Sequence, residues 1–188
     1  FSNYVVVKPD FTLVGKKSIK KISTDDNELL SKSIEVASID SGNGLVEIEQ
    51  FIDGYDCSFL FWMESGTLTL LLDWDELSYF NNNGDLISIG ASTPSVAASL
   101  GNLDEIFEIT NELCADFSSV SALLAFSFRV DSSGKCWLIE IHADFTGDLI
   151  LDVLAPNASG YDYLEGLTSL VLQGILTDEK SKVMLNQE

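Results

Sequence analysis

From residue 45 to residue 92 the chain runs through LVEIEQFI, CSFLFWM, TLTLLLDW, LSYF and DLISIGAS, interrupted mainly by DGYD, ESG and NNNGD. Apolar, aromatic and β-branched residues fill the segments. Gly, Asn and Asp fill the interruptions, where tight turns need them. Strands joined by connections this short pair antiparallel, because a parallel crossover needs about a dozen residues or more. That stretch excludes a Rossmann-type alternation of strand and helix and points to an α+β fold.

The flanking segments fit the same class. YVVV (4–7) reads as a buried strand and SIKKI (18–22) as a second, joined by the hairpin loop KPDFTLVGKK with Pro9 and Gly15 as punctuation. STDDNELLSKSIEVAS (23–38) predicts a helix capped by Ser23 or Thr24, with Leu29, Leu30, Ile34 and Ala37 on one face. SGNG (41–44) follows as a loop. Residues 102–117 predict a strong helix, with Asn102 and Glu105 at capping-box spacing and Ile106, Ile109, Leu113 and Phe117 on its apolar face. Residues 121–142 predict a hairpin of two long strands turned at DSSG. Residues 161–176 predict a last helix, and 177–188 a fraying tail.

The sum is a small αβ lobe followed by a larger antiparallel α+β lobe. Hydrophobic residues make up 46% of the 188, enough for a real core despite a formal net charge of −20. A pI of about 4.1 argues against nucleic acid and against an anionic membrane surface, both of which need a broad basic face. No apolar run approaches the roughly 18 residues of a spanning helix. Cys57, Cys114 and Cys136 are odd in number and far apart, with no CxxC. They read as buried small hydrophobes in a reducing, cytoplasmic setting. The start, FSNYVVVKPD, lacks the features of a signal peptide and opens almost inside a strand, so an upstream portion is expected.

Charge is unevenly placed. Lys8, Lys16, Lys17, Lys20 and Lys21 are five of the ten basic residues, and no Lys or Arg occurs from residue 33 to residue 128. Lysines around a strand end and a glycine-containing loop suit an anion, with ammonium groups acting as point charges; a solvated basic edge strand is the plainer alternative. In VEIEQFIDGYDCS (46–58) a strand end at Gln50–Ile52 offers backbone donor and acceptor for an adenine ring. The Asp56 carboxylate is an acceptor for ribose hydroxyls. The plainer alternative is a strand whose acids face water. In FSFRVDSSGKCWLIEIHADFTGD (126–148) the hairpin sets Ser127 across from Glu140, with Glu140 and His142 on one face. That is half of a magnesium site, or a structural histidine beside a carboxylate that needs a partner.

The order and spacing of these segments, over roughly residues 4–174, resemble the ATP-grasp superfamily, which includes carboxylate–amine ligases and the ATP-binding domains of carbamoyl-phosphate synthetase. The resemblance implies two α+β lobes clasping a nucleotide: a small lobe over 1–52, a large lobe over 53–176 with the metal-binding strand, and a tail over 177–188. It places Lys8 and Lys17 at the phosphate-binding positions, Glu49, Gln50 and Ile52 at the adenine-contacting positions and Asp56 at the ribose ligand. It places Glu140 at the bridging metal carboxylate, with His142 beside it. It also implies ATP and magnesium (manganese being the other candidate) as cofactors, and phosphorylation of a small-molecule carboxylate to an acyl phosphate that an amine attacks. An N-terminal domain completing the substrate site is expected, and oligomerisation is left open. Three positions depart from the family pattern. Ser127 stands where the first metal carboxylate is usual, His142 where an asparagine is, and Asp144 where an arginine is. They admit an altered metal site, with His142, Asp144 or Asp148 taking part, or a catalytically impaired nucleotide-binding or regulatory module.

Overall fold

The computed structural model describes residues 2–12, 15–101, 103–117, 121–143, 146–147, 149–160 and 162–173. The chain divides into two compact units, Phe1–Asp53 with Leu77–Ile89, and Gly54–Glu76 with Gly90–Glu188. The class is α+β, as the strand and turn pattern predicts.

In the first unit, β1 (Tyr4–Pro9) is the centre of a three-stranded antiparallel sheet. β2 (Lys20–Ser23) and β3 (Val46–Gln50) flank it, and α1 (Asn27–Asp40) covers one face. Strand alternation sends Val5 and Val7 to the helix, where they meet Ile22, Leu29, Leu30, Ile34, Ala37 and Val46. Val6 and Lys8 take the opposite face. The helix starts later than Ser23 or Thr24. Asp26 is its cap and accepts from the Leu29 N–H at 3.0 Å. Ser23 is still in β2, and the Thr24 N–H is used on the Asn3 carbonyl. The tip of the following hairpin extends this sheet: the Lys21 N–H donates to the Gly84 carbonyl at 2.8 Å and the Leu86 N–H to the Ile19 carbonyl at 3.2 Å.

The second unit takes its strands from a five-stranded antiparallel sheet, ordered β6-β5-β4-β7-β8, of which the end of β5 and the first residues of β6 fall in the first unit. Its strands are β4 (Gly54–Glu64), β5 (Thr67–Phe80), β6 (Leu86–Ser92), β7 (Ser121–Asp131) and β8 (Cys136–His142). DGYD is therefore only partly a turn, since Gly54 onward belongs to β4. TLTLLLDW and LSYF are one strand rather than two. The acids between them are not turn formers here: Asp75 is buried and accepts from the Val96 and Ala97 N–H groups at 2.9 and 3.0 Å. It thereby caps α2 (Val96–Leu100), a helix the sequence pattern does not announce.

Each sheet face has its own core. Cys57, Phe59, Phe61, Phe126, Phe128 and Val130 meet α2 and α3 (Leu103–Cys114) on one side. Leu60, Leu72, Trp74, Leu123 and Ala125 meet a π-helical turn (Ile150–Leu154), α4 (Ala155–Ser159) and α5 (Tyr163–Gln173) on the other. The buried face of α3 is Ile106, Thr110 and Cys114, while Leu113 and Phe117 are exposed, so the helix is rotated from its predicted face. Asn102, the C-terminal tail and the end of the last predicted helix lie outside the described residues. All three cysteines are buried and free, and burial pushes the Cys57 thiol up to about 12. No helix among the described residues is long and apolar enough to cross a membrane.

The β4–β7 ladder leaves no room at its end for a side chain on Gly54. A Cβ there would stand 2.2 Å from the Val130 carbonyl oxygen. Gly54→Ala is expected to lower the unfolding free energy by about 1–3 kcal/mol, measured by urea denaturation.

Candidate functional site

The two units present the sequence-predicted residues on two polar surfaces. In the first unit Lys8, next to last in β1, stands directly opposite Glu47 of β3. Its ammonium lies 2.9 Å from the Glu47 carboxylate and 3.1 Å from that of Glu49, and only 14% of the side chain is exposed. Burial by itself pushes the Lys8 pKa down, but the hydrogen bonds and charges of Glu47 and Glu49 together outweigh it, so it lies above the ordinary lysine value. Lys8 and Glu49, read separately from the sequence, are thus brought together. Gln50, opposite Val5 in β3, is exposed and falls on the other face of the sheet, so it is not brought to Lys8 and Glu49; Ile52 follows the strand end and is half-buried.

Lys17 is held elsewhere. Its ammonium meets Asp40, the last residue of α1, at 2.8 Å, and the Ser18 hydroxyl bonds the same carboxylate. Lys17 and then Ser18 hold the Asp40 carboxyl below its usual range. The rest of the basic segment is also matched. Lys20 pairs with Asp85 at 3.0 Å, and the Lys21 ammonium sits over the rings of Phe51 and Tyr4, 3.6 and 4.8 Å from their centroids. The lysine cluster is a set of local partnerships.

In the second unit a polar row crosses the sheet at the start of β4. Asp56 is held by a two-pronged contact from Arg129, Nε to one oxygen at 2.6 Å and an NH2 nitrogen to the other at 2.7 Å. The Ser58 hydroxyl donates to Glu76 at 2.7 Å. Its single proton is then spent, so Ser127, 3.0 Å away, is the donor to Ser58. Ser127 stands opposite Glu140 in the β7–β8 ladder, as the hairpin pattern predicts. Glu140 and His142 share a strand face, with carboxylate and imidazole 3.2 Å apart and both about half exposed. Asp131 is not available to this row, because it accepts from Ser133, Lys135 and Trp137 in the hairpin turn. Those bonds, led by the Ser133 hydroxyl and the Trp137 indole, hold its carboxyl far below the usual range.

Arg129, Ser58 and Glu76 were not singled out by the sequence patterns. Arg129 did carry a signal: it is the only arginine in the chain and ends the long stretch without a basic residue. Ser127 and Arg129 alternate on one strand face, as Asp56 and Ser58 do. Glu76 carried none, because its partner lies 18 positions away.

Of the donors at the positions the family resemblance gives to the metal, only Glu140 offers a carboxylate. Ser127 offers a hydroxyl already bonded to Ser58, and His142 offers an imidazole where a hard ion prefers oxygen. Among the described residues no three His, Cys, Asp or Glu side chains come together as a metal site. Asp144 and Asp148, named as alternative ligands, lie outside the described residues.

Because the folded state raises the Lys8 pKa, the charged form contributes stability that is complete below the unfolded lysine value, near 10.5, and is lost as pH rises through the higher folded value. The difference in unfolding free energy between wild type and Lys8→Met should therefore stay constant from about pH 7 to 10 and shrink above it. Urea unfolding across that range checks this.

No protein-family model and no curated protein matches the sequence. Solved structures do. The chain is similar to an L-amino acid ligase from Bacillus licheniformis, with TM-score 0.60 and 17% identity, over 92% of this chain and 40% of that one. It is similar to the biotin carboxylase domain of 2-oxoglutarate carboxylase from Hydrogenobacter thermophilus, a structure containing MgADP, ADP and bicarbonate, with TM-score 0.67 and 15% identity over 94% and 38%. It is similar to D-alanine–D-alanine ligase from Bacillus anthracis, with TM-score 0.56 and 19% identity over 98% and 57%. The chain spans about two-fifths of the first two proteins' length and somewhat over half of the third. Its architecture, α+β with two separate antiparallel sheets, is the ATP-grasp fold.

Proposed function

We propose that this chain is the nucleotide-binding part of an ATP-dependent ligase that activates a carboxylate. The observation that carries the proposal is the pairing of Lys8 with Glu49 across β1 and β3, in a chain with the ATP-grasp fold. In the proposal Lys8 and Lys17 meet the phosphates, Glu49, Gln50 and the strand end at Ile52 meet the adenine, and Asp56 meets the ribose. A carboxylate oxygen of the substrate attacks the γ-phosphorus, ADP leaves, and the acyl phosphate forms. An amine or similar nucleophile then attacks the acyl carbon and expels inorganic phosphate. The lysines stabilise charge on the transferring phosphoryl group, and the protein's main contribution is to position the reactants.

A second reading, nucleotide binding without turnover, is favoured by the Ser127–Ser58 hydrogen bond at the position where the family pattern has a metal carboxylate. Glu140 and His142 are the residues through which a divalent ion enters either reading.

A thermal-shift titration with ATP and ADP, with and without magnesium chloride, tests both. Ligand at 100 times its Kd should stabilise the chain by ~2.7 kcal/mol, a shift of several degrees at this size. Lys8→Ala should weaken ATP binding by ~10- to 100-fold. Glu140→Gln should remove whatever part of the shift depends on magnesium. Unchanged ATP affinity in Lys8→Ala would reject the assignment of the site. Magnesium-dependent binding that never produces ADP in the presence of candidate carboxylates would favour the second reading.

A further inference from the structure

Lys8 has three ammonium protons to donate, and two carboxylates already claim the group. Glu49 has a place in the proposed nucleotide site. Glu47 has none, yet it is the residue directly opposite Lys8 in the β1–β3 register and makes the shorter contact, 2.9 Å against 3.1 Å. Its side chain is 43% exposed, so water is at hand for the carboxylate when it leaves Lys8. Lys8 is 14% exposed and lies across the ladder from Glu47, so a ligand that reaches its ammonium does so beside that carboxylate.

We propose that Glu47 sets how tightly this chain binds the phosphates of a nucleotide, by competing with them for the Lys8 ammonium. The inference rests on the reading of Lys8 as a phosphate ligand. An arriving phosphate oxygen competes with the Glu47 carboxylate for that ammonium, and the apparent affinity is lowered by the fraction of molecules in which the pair is closed. The same arrangement recurs at Lys17, which Asp40 and Ser18 hold from the end of α1. Both proposed phosphate lysines are therefore paired with acids of the chain itself. In a chain of net charge −20 the surrounding field adds no compensating attraction for an anion. Selectivity follows, because the penalty falls on the phosphate end alone: a ligand with no phosphate does not have to open the pair.

Isothermal titration of ATP and of adenosine into the wild-type chain, Glu47→Gln, Glu47→Lys, Glu35→Gln and Lys8→Ala tests this. Glu35 is an exposed acid of α1, and its variant changes net charge by the same unit as Glu47→Gln. Glu47→Gln should bind ATP about 2- to 5-fold more tightly and adenosine no differently. Glu47→Lys should bind ATP more tightly still, and Glu35→Gln should match wild type. Equal or weaker ATP binding by Glu47→Gln, with binding still lost in Lys8→Ala, would overturn the inference and leave Lys8 as a phosphate ligand. An equal gain in Glu35→Gln would assign the effect to net charge and overturn it too. ATP binding that is unaffected in Lys8→Ala, or absent from wild type and Glu47→Gln alike, would reject the proposed site and the inference with it.

Discussion

The long antiparallel ladder between β4 and β7 is the constraint on which the second unit depends. Two eleven-residue strands lie side by side at the middle of the sheet, so the side chains along their central stretch face one of two covered surfaces. One surface carries Phe59, Phe61, Phe126 and Phe128, in stacked and edge-to-face contacts with ring centroids 5.7 to 6.5 Å apart. The other carries Leu60, Leu123 and Ala125 under the C-terminal helices. Because the side-chain period of a strand is two, a one-residue slip would exchange these sets and bury Ser58, Ser127 and Arg129 among the phenylalanines. The register that forms the cores is thus the register that lines up the polar row. Asp56 opposite Arg129 and Ser58 opposite Ser127 are consequences of it.

The electrostatics follow a different rule from the one composition suggests. A cluster of lysines in an acidic chain reads as a free positive surface awaiting an anion. In the fold, each of the four placed here has a partner: two glutamates for Lys8, an aspartate each for Lys17 and Lys20, and aromatic faces for Lys21. Such pairs hold β-edges and loops in register at low energetic gain. They also make phosphate recognition an exchange of partners rather than the filling of an empty charge. In the second unit the only arginine of the chain is likewise spent on Asp56, which orients that carboxylate while neutralising it.

Strand positions and the lobe-like succession of sheet and helix were legible because they are local properties. The apolar run YVVV, the turn chemistry of NNNGD and DSSG, and the parity that puts Glu140 beside His142 all act over a few residues. What failed was decided by contacts distant in sequence. Asp75 looked like a break in a strand and is a buried cap, because the N–H groups of Val96 and Ala97 reach it. Leu113 and Phe117 looked like core and are exposed, because the sheet surface received Ile106, Thr110 and Cys114 instead. Short helical pieces, α2, the π-helical turn and α4, have too few residues for a period to show.

The sequence by itself determined the fold class, the antiparallel pairing of its hairpins, and the ordered set of residue types that resembles an ATP-grasp site. Pattern and turn chemistry suffice for these, since each depends on neighbours a few positions apart. Only the tertiary structure decided which of those residues are engaged. Whether Lys8 is bare or held, whether Asp56 is paired, and whether Ser127 faces a metal or another serine depend on groups from 39 to 73 positions away, or on the opposite strand of a ladder. A charge's environment is set by what packs against it, and that is a property of the folded chain.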